Sequence, residues 1–584
     1  MTNWFRSPWA YRVLPAALTA TVALTIGLAL KSAHAQGGIN GSDRSIITFK
    51  GKNFWPIGLY DYPRGNQAIQ NQDVNKFAQI AADGFNTVEL FDHDCGWPLG
   101  ELETCTSADL DLANTYGLAV IDALYSYNYS GATCWLYQSS QTQVGSAMYN
   151  QLQALKSKPA LLAWEHMDET GVTWANYGTS TPYYFPTNPQ FQTDYNFIKQ
   201  YGGGIPVWYN DGPAYYQNAY YAFSTAQTWS NYSDIYSNDI YPGNGGNIDA
   251  VKQQMDWTRW CINNGKPGMI ALNAGNNTTD TWGYEARAYM LYTAIIHGAR
   301  GVMFWNAFAL NDTDAAWQSI VSLASQLKVM EPALAGNVTT AYSFYDTYAQ
   351  SSPSNGITLS SGTSTGANPT IEARCFSNGN AHFLILANTN PTNSITFSVN
   401  SVTGWVGKTL YPLKGWGIQY IGTSFTLGAH NAAVYTDYPL PGTYKFVGYA
   451  SGKALDDTGW GGAGTTLDLW TYSAGANQQW KLSYVSGSMD GSYFTLQCAA
   501  NNMYASVNGS TTAGAAVKLA AADNASDQQW SLVAGTGSYG PWIVKNRLSG
   551  QVMDVTSGST SNGALIDQWT QTGNGNQLWW VWAP

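Results

Sequence analysis

Short apolar runs alternate with longer amphipathic stretches along the first half of the chain, from about Ser45 to Pro332. Eight strand–helix units in about 290 residues are typical of a (β/α)₈ TIM barrel, so we predict one over residues 42–333. The predicted strands are Phe54–Tyr60, Thr87–Phe91, Ala119–Ala123, Leu161–Trp164, Pro206–Tyr209, Ile235–Ile240, Met269–Leu272 and Gly301–Trp305. The predicted helices are Asn71–Asp83, Ser107–Tyr116, Val144–Lys156, Phe191–Lys199, Ile248–Asn263, Tyr284–His297 and Asp314–Leu327.

Beyond Leu334 the pattern changes to short runs that alternate apolar and polar residues, such as Thr370–Phe376 and Ala381–Asn388. Clusters of Ser, Gly, Asn and Pro separate these runs, as expected for antiparallel strands joined by turns. We predict a β-sandwich with a structural role over residues 334–439. A short proline-containing linker, Tyr438–Gly442, follows it.

The last quarter of the chain contains a threefold repeat. Its markers are N-Q-Q-W ending at Trp480, D-Q-Q-W ending at Trp530 and N-Q-L-W ending at Trp579, at spacings of 50 and 49 residues. Three units that cannot bury their apolar faces alone are expected to close around one pseudo-threefold core.

This segment, residues 442–584, resembles the ricin B-type β-trefoil lectins, which include family 13 carbohydrate-binding modules. The resemblance implies that the three Q-x-W tryptophans are core residues. It also implies that each sugar pocket has an Asp that accepts hydrogen bonds from hydroxyls, an aromatic platform and a supporting Asn. The first and third repeats keep this set at Asp456, Trp470 and Asn477, and at Asp554, Trp569 and Asn576.

The second repeat departs from this pattern, because Ser506 replaces the Asp and Ala520 replaces the aromatic residue. We therefore expect two working sugar pockets and one that is inactive. The alternative is a trefoil that serves only as a spacer.

Composition supports sugar binding only weakly. Charged residues make up 11% of the chain and aromatic residues 14%, with 25 Trp and 39 Tyr. Uncharged polar groups beside aromatic faces suit neutral polyhydroxylated ligands, although this composition is also ordinary for extracellular proteins. The net charge of −11 argues against nucleic acid or an anionic membrane as a partner.

The N-terminus has the pattern of a secretory signal peptide. Arg6 and Arg12 precede the apolar stretch Leu14–Leu30, and Ala33-His34-Ala35 forms a small-x-small cleavage site. We predict a signal peptide over residues 1–35 and a secreted, extracellular protein. The alternative is an uncleaved membrane anchor, because the stretch approaches spanning length.

Cysteine spacing predicts no zinc site. Cys95 and Cys105 flank a short loop and are close enough in sequence to pair in an oxidising compartment. The remaining cysteines and six histidines are scattered, so we predict no metal and no cofactor.

Acidic and aromatic residues follow the predicted barrel strands, where barrel enzymes place their chemistry. Glycosidic cleavage needs one carboxylic acid to protonate the leaving oxygen and a second carboxylate as nucleophile or base. The candidates for catalysis are Glu169, Asp239 and Asp168, and those for substrate binding are Asp61, Asp92, Asp122, Asp211, Tyr241 and Trp305.

The barrel region resembles clan A glycoside hydrolases. Similar motifs are P-I-G-L-Y in strand one, W-E-H-M-D-E after strand four, D-I-Y-P after strand six and G-A-R-G-V-M-F-W in strand eight. The resemblance implies that Glu169, preceded by Asp168, is the acid/base. It also implies a nucleophilic Glu at the end of strand seven, but the chain has Asn273 and Asn276 there.

Three interpretations follow from that departure. Glu169 pairs with another rim carboxylate, first Asp239 and then Asp211 or Asp92; or Asp168 and Glu169 both act; or the barrel binds glycans without cleaving them. Each candidate also has a structural explanation. Acids at 168 and 169 suit a helix N-terminus, and Asp239 could be a hydrogen-bonded buried acid. The sequence thus predicts a secreted glycoside hydrolase held on a polysaccharide or other glycan by its trefoil, with a non-catalytic glycan-binding protein as the alternative.

Overall fold

The computed structural model describes most of the chain after the N-terminal segment. The residues described are 36–63, 76–91, 107–124, 142–168, 188–212, 229–242, 247–262, 265–275, 282–305, 314–336, 357–359, 370–378, 381–402, 405, 409–413, 419–437, 439, 441–485, 493–534 and 541–582. The predicted signal peptide lies outside these ranges, as do Cys95 and Cys105.

A three-stranded antiparallel sheet precedes the barrel and consists of β1 (Gly37–Ile39), β2 (Ile47–Phe49) and β3 (Lys52–Phe54). The predicted first strand, Phe54–Tyr60, is divided between this sheet and the barrel. Pro56 lies at the break, and its missing N–H interrupts a strand ladder.

Eight parallel strands close into a barrel, which confirms the predicted strand architecture. Neighbouring strands pair in chain order, and the last strand pairs with the first. The barrel strands are β4 (Ile57–Pro63), β5 (Thr87–Phe91), β6 (Ala119–Ala123), β7 (Leu161–Asp168), β8 (Val207–Asp211), β9 (Ile235–Ile240), β10 (Gly268–Asn273) and β11 (Val302–Trp305).

Seven helices lie within the described parts of this region, close to the predicted positions. They are α1 (Phe77–Ala82), α2 (Ser107–Thr115), α3 (Ala147–Leu155), α4 (Asn188–Tyr201), α5 (Ala250–Cys261), α6 (Tyr284–Ile296) and α7 (Ala315–Leu334). The Ser146 hydroxyl caps α3 by accepting a hydrogen bond from the Tyr149 amide. Helix α7 is longer than predicted and contains Pro332 in its last turn.

Two antiparallel sheets follow the helices. Strands β12, β15 and β18 form one sheet, and β13, β14, β19, β16 and β17 form the other in that order. The bounds are β12 (Ile357–Leu359), β13 (Ile371–Asn378), β14 (Ala381–Asn388), β15 (Ile395–Val402), β16 (Thr409–Pro412), β17 (Gln419–Tyr420), β18 (Ser424–Leu427) and β19 (Asn431–Thr436). Apolar residues of both sheets, including Phe397 and Leu384, belong to one buried cluster.

The C-terminal region contains twelve described strands, four in each repeat. They are β20 (Gly442–Gly448), β21 (Ala454–Asp456), β22 (Asp468–Trp470), β23 (Trp480–Tyr484), β24 (Phe494–Cys498), β25 (Tyr504–Ser506), β26 (Lys518–Ala520), β27 (Trp530–Ala534), β28 (Trp542–Asn546), β29 (Val552–Val555), β30 (Ala564–Trp569) and β31 (Trp579–Trp582).

The three Q-x-W tryptophans occupy equivalent positions in the trefoil core. Trp480, Trp530 and Trp579 are fully buried. Each indole N–H donates to a backbone carbonyl 25 or 26 residues earlier, those of Leu455, Ala505 and Met553. Each tryptophan therefore ties the last strand of its repeat to the second one.

Candidate functional site

The interior of the barrel is identified by one buried cluster. It contains residues from seven of the eight barrel strands together with Ile47 and Phe49 of β2. Because residues from nearly every strand of the closed barrel belong to one cluster, that cluster lies inside the barrel. Since side chains alternate along a strand, residues two positions from a cluster member also face inward.

Polar side chains cross this interior in a hydrogen-bonded chain. The Tyr60 hydroxyl donates to Glu165 Oε1 at 3.5 Å and accepts from Asn210 Nδ2 at 3.3 Å. Ser237 Oγ donates to Asn210 Oδ1 at 2.7 Å. Strands one, four, five and six are thus linked across the barrel by buried polar groups.

Asp239 lies on the inner face at the carboxyl end of β9. It is two residues beyond Ser237 and only 1% exposed. Near this end of the barrel, the rings of Tyr241 and Trp305 stack at 4.6 Å with an interplanar angle of 22°. The structure therefore brings three of the predicted site residues to the same end of the barrel.

Asp122 and Asp211 are not brought to the interior. Asp122 accepts a hydrogen bond from Gln151 on α3 at 2.9 Å. Asp211 follows the inward-facing Asn210 and accepts one from the Tyr236 hydroxyl at 2.9 Å. Both carboxylates are buried on the helix-facing side of the wall, because adjacent strand residues face opposite sides.

The four other predicted barrel residues lie outside the part of the chain whose side chains the structure describes. Glu169 and Asp92 lie outside the described residues. Asp61 and Asp168 fall within β4 and β7, but their side chains are not described.

Sequence analysis missed two interior carboxylates, Glu89 and Glu165. Both are completely buried. A Cβ added to Gly58 would contact Met303, which belongs to the buried interior cluster, and also Thr87. Thr87 therefore lies on the inner face of β5. Because side chains alternate along a strand, Glu89, two residues later, lies on the inner face too. In the sequence, Glu89 is the single acid of β5, and Glu165 directly follows the apolar run Leu161–Trp164 of β7.

In the first trefoil repeat, the predicted polar residues form one hydrogen-bonded cluster at the predicted sugar pocket. Asn477 Nδ2 donates to Asp456 Oδ2 at 2.9 Å, and the Thr458 amide donates to the other carboxylate oxygen at 2.9 Å. These bonds hold the carboxylate in one orientation. Trp470 lies on the same face of the β21–β22 hairpin and is 47% exposed.

The third repeat has an equivalent pocket. Asn576 Nδ2 donates to both oxygens of Asp554 at 2.9 Å, and Gln577 Nε2 donates to one of them at 2.8 Å. Trp569 is 45% exposed. The two pockets therefore each combine a fixed carboxylate with an open indole face.

A glycine from a neighbouring repeat lies beside each exposed tryptophan. A Cβ on Gly514 would be 3.1 Å from Trp569 Cζ3, and one on Gly563 would be 4.0 Å from Trp470 Cζ3. Both glycines have positive φ, 85° and 79°. The glycine loops thus leave room for the rings.

Each of these two predicted pockets also contains a second aspartate, which sequence analysis missed. Asp468 pairs across its hairpin with Asp456, and Asp567 pairs with Asp554. Burial and the neighbouring carboxylate raise the pKa of each, Asp468 and Asp567, to about 6. Burial also raises the pKa of Asp554.

The described residues show neither a metal-binding group nor a membrane-spanning helix. They contain no group of three or more His, Cys, Asp or Glu side chains suited to a metal ion. No helix within the described ranges has both the length and the apolarity needed to cross a bilayer.

Comparison with known proteins supports the trefoil fold of the C-terminal part. Residues 435–520 and 526–583 match the family model described as "Ricin-type beta-trefoil lectin domain-like". No curated protein matches the chain.

Several solved structures are each similar to about a quarter of the chain. The designed threefold-symmetric protein ThreeFoil is 35% identical, with 24% of this chain and 99% of that chain covered and a TM-score of 0.23. The agglutinin of Rhizoctonia solani is 19% identical, with 25% and 98% covered and a TM-score of 0.22. The C-half of an earthworm R-type lectin, solved with GalNAc, is 17% identical, with 25% and 100% covered and a TM-score of 0.20. The family match and the repeated Q-x-W core identify the C-terminal part of this chain as a ricin-type β-trefoil lectin domain.

Proposed function

We propose that this chain is a secreted glycoside hydrolase whose trefoil holds it on a polysaccharide or other glycan. The observation that carries the glycan-binding part is the matched geometry of the first and third repeats. In each, an amide side chain fixes an aspartate beside a half-exposed tryptophan. The carboxylate is an acceptor for sugar hydroxyls, and the indole is a platform for the apolar face of a sugar ring.

Binding of the full chain to immobilised neutral polysaccharides tests this part. The double variant Asp456→Asn/Asp554→Asn keeps the side-chain shape but replaces both ionic acceptors with weaker ones. We expect it to lose most binding, since hydrogen bonds to charged acceptors are roughly twice as strong as neutral ones. The matched control is Asp523→Asn, an exposed acid in the same domain. Equal binding by the double variant and the parent chain would contradict the proposed pockets.

The hydrolase part is supported by the carboxylates on the inner face of the barrel. Asp239 lies at the carboxyl end of β9, near the Tyr241–Trp305 stack, and Glu89 and Glu165 are buried in the interior. We assign the general acid to Glu169, which directly follows β7, and the second carboxylate to Asp239. A general acid must hold its proton, so this assignment expects an environment at Glu169 that is buried or close to other carboxylates.

Analysis of the sugars released from a polysaccharide panel tests the hydrolase. Glu169→Gln and Asp239→Asn should each lower release by orders of magnitude while trefoil binding stays intact. Asp122→Asn is the matched control, because that carboxylate faces α3. Full turnover in the Glu169 variant would remove this residue from the mechanism.

A glycan-binding protein without hydrolase activity is the second candidate. Asn273 favours it, because this residue ends β10, where the resemblance to clan A implies a nucleophilic Glu. Binding to the panel without release of any sugar from it would select this candidate.

Two further proposals concern the rest of the chain. The basic residues, apolar stretch and Ala33-His34-Ala35 favour secretion with cleavage before Gln36, which N-terminal sequencing of the mature protein tests. The buried cluster shared by the two middle sheets favours a β-sandwich with a structural role.

A further inference from the structure

The second trefoil repeat keeps its carboxylate but supplies it from a different position. Ser506 lies where the other repeats have Asp456 and Asp554, and Asp527 lies where they have Asn477 and Asn576. Ser506 Oγ donates to Asp527 Oδ2 at 2.7 Å, and the Gly509 amide donates to the same oxygen at 3.1 Å. In this repeat the carboxylate therefore comes from the short helical turn that contains Asp527, not from the strand, and hydrogen bonds still fix its position.

An aromatic side chain has also moved across the hairpin of this repeat. Ala520 replaces the platform tryptophan, and its cross-strand partner is Tyr504. The corresponding partners are Ala454 for Trp470 and Val552 for Trp569. Directly opposed residues of an antiparallel pair share a face, so Tyr504 lies on the pocket face. The Tyr504 side chain is half-buried and makes no hydrogen bond or ring contact with other described residues.

A lysine occupies the position at which the other two pockets have a second aspartate. Lys518 pairs across the hairpin with Ser506, as Asp468 pairs with Asp456, and therefore lies on the pocket face. Its ammonium forms no ion pair or hydrogen bond with the residues the structure describes. The first and third pockets each present two aspartates, whereas this pocket presents one aspartate and one cation.

We propose that the second repeat contains a third glycan pocket, which binds a sugar residue that carries a carboxylate, such as a uronic acid. Asp527 accepts hydrogen bonds from the sugar hydroxyls, the Tyr504 ring packs against the sugar, and Lys518 pairs with the ligand carboxylate. The paired aspartates of the other pockets repel the same anion. This inference rests on the proposal that the trefoil binds sugars.

The test uses the full chain and two probes, trigalacturonate and its fully methyl-esterified form, which has the same sugar rings and hydroxyls but carries uncharged methyl esters in place of the carboxylates. Binding is measured by titration calorimetry in the Asp456→Asn/Asp554→Asn background, which weakens the other two pockets. We expect trigalacturonate to bind at least about tenfold more tightly than the ester. Lys518→Gln should abolish this preference, and Asp527→Asn should lower the affinity for both probes at least about tenfold. Lys481→Gln, which removes the same charge from an exposed site on β23, should change neither affinity.

Several outcomes overturn the proposal. Equal affinities for the acid and the ester, or a preference that survives Lys518→Gln, would remove Lys518 from recognition. If the parent chain binds neutral polysaccharides but the background variant binds neither probe, the second pocket is inactive while the proposed function stands. If the parent chain binds no glycan, the proposed function itself fails. Thermal unfolding of each variant separates loss of binding from loss of fold.

Discussion

Replacing Asp567 with Asn should stabilise the trefoil at neutral pH. Asp567 is 7% exposed, and its Oδ1 is buried with no hydrogen-bond partner among the described residues. Thr556 Oγ1 donates to the other oxygen at 3.0 Å. Burial and Asp554 raise its pKa to about 6, from an ordinary value of 3.8. A shift of about two pH units corresponds to about 3 kcal/mol.

The direction of the pH effect follows from proton binding. Between about pH 4 and 6 the folded state holds a proton that the unfolded state has lost, so stability falls as pH rises through this window. Below this pH window, Asp567 is neutral in both the folded and the unfolded state, so its burial lowers the free energy of unfolding only slightly. Asparagine is uncharged at every pH, so Asp567→Asn should gain up to about 3 kcal/mol at pH 7.5 and close to nothing at pH 4.

Hydrogen exchange of the full chain, read by mass spectrometry over β29–β31, measures this difference at each pH. The ratio of the protection factor in the variant to that in the parent should be at least about ten at pH 7.5 and close to one at pH 4. Asp523→Asn, at an exposed acid, should leave both ratios near one. Unchanged protection at pH 7.5, or the same gain at both values, would refute the argument.

Three further predictions concern other single substitutions. Trp569→Ala should weaken glycan binding about tenfold or more in calorimetric titration while the melting temperature hardly changes, because the ring is half exposed. Gly514→Ala should lower the stability measured by thermal unfolding by about 1 kcal/mol, because its φ is 85° and the new Cβ would crowd Trp569. The control Gly462→Ala, with open space around the new Cβ, should lower it less. Glu372→Ala should destabilise the chain by about 3 kcal/mol or more in urea unfolding, because Glu372 is fully buried and lies 3.1 Å from His297 Nε2; an unchanged midpoint would contradict this.

Most of the barrel could be predicted from the sequence because its strands are apolar runs of limited length, each followed by a helical stretch. The inward or outward direction of each side chain could not, because it depends on strand register. The pairing of β7 with β8 shifts between Glu165 and Asp168, and such a bulge leaves no mark in one sequence. Asp122 and Asp211 were chosen for their position at strand ends, but their faces point toward the helix layer.

The trefoil could be predicted further because its repeat fixes equivalent positions. The positions of Asp456, Trp470 and Asn477 in the first repeat predicted those of Asp554, Trp569 and Asn576 in the third. The exchange in the second repeat was not predicted, because it becomes visible only when Ser506 is seen to contact Asp527. Sequence motifs compare residues one position at a time, whereas a pocket is built from residues that meet in space.

The most direct test of the account is a crystal structure of the full chain soaked with a neutral oligosaccharide that it binds. We expect a sugar ring against Trp470 and another against Trp569, with hydroxyl oxygens within hydrogen-bonding distance of the Asp456 and Asp554 carboxylates. A bound oligosaccharide that contacts neither aspartate, with both pockets empty at saturating concentration, would contradict the account.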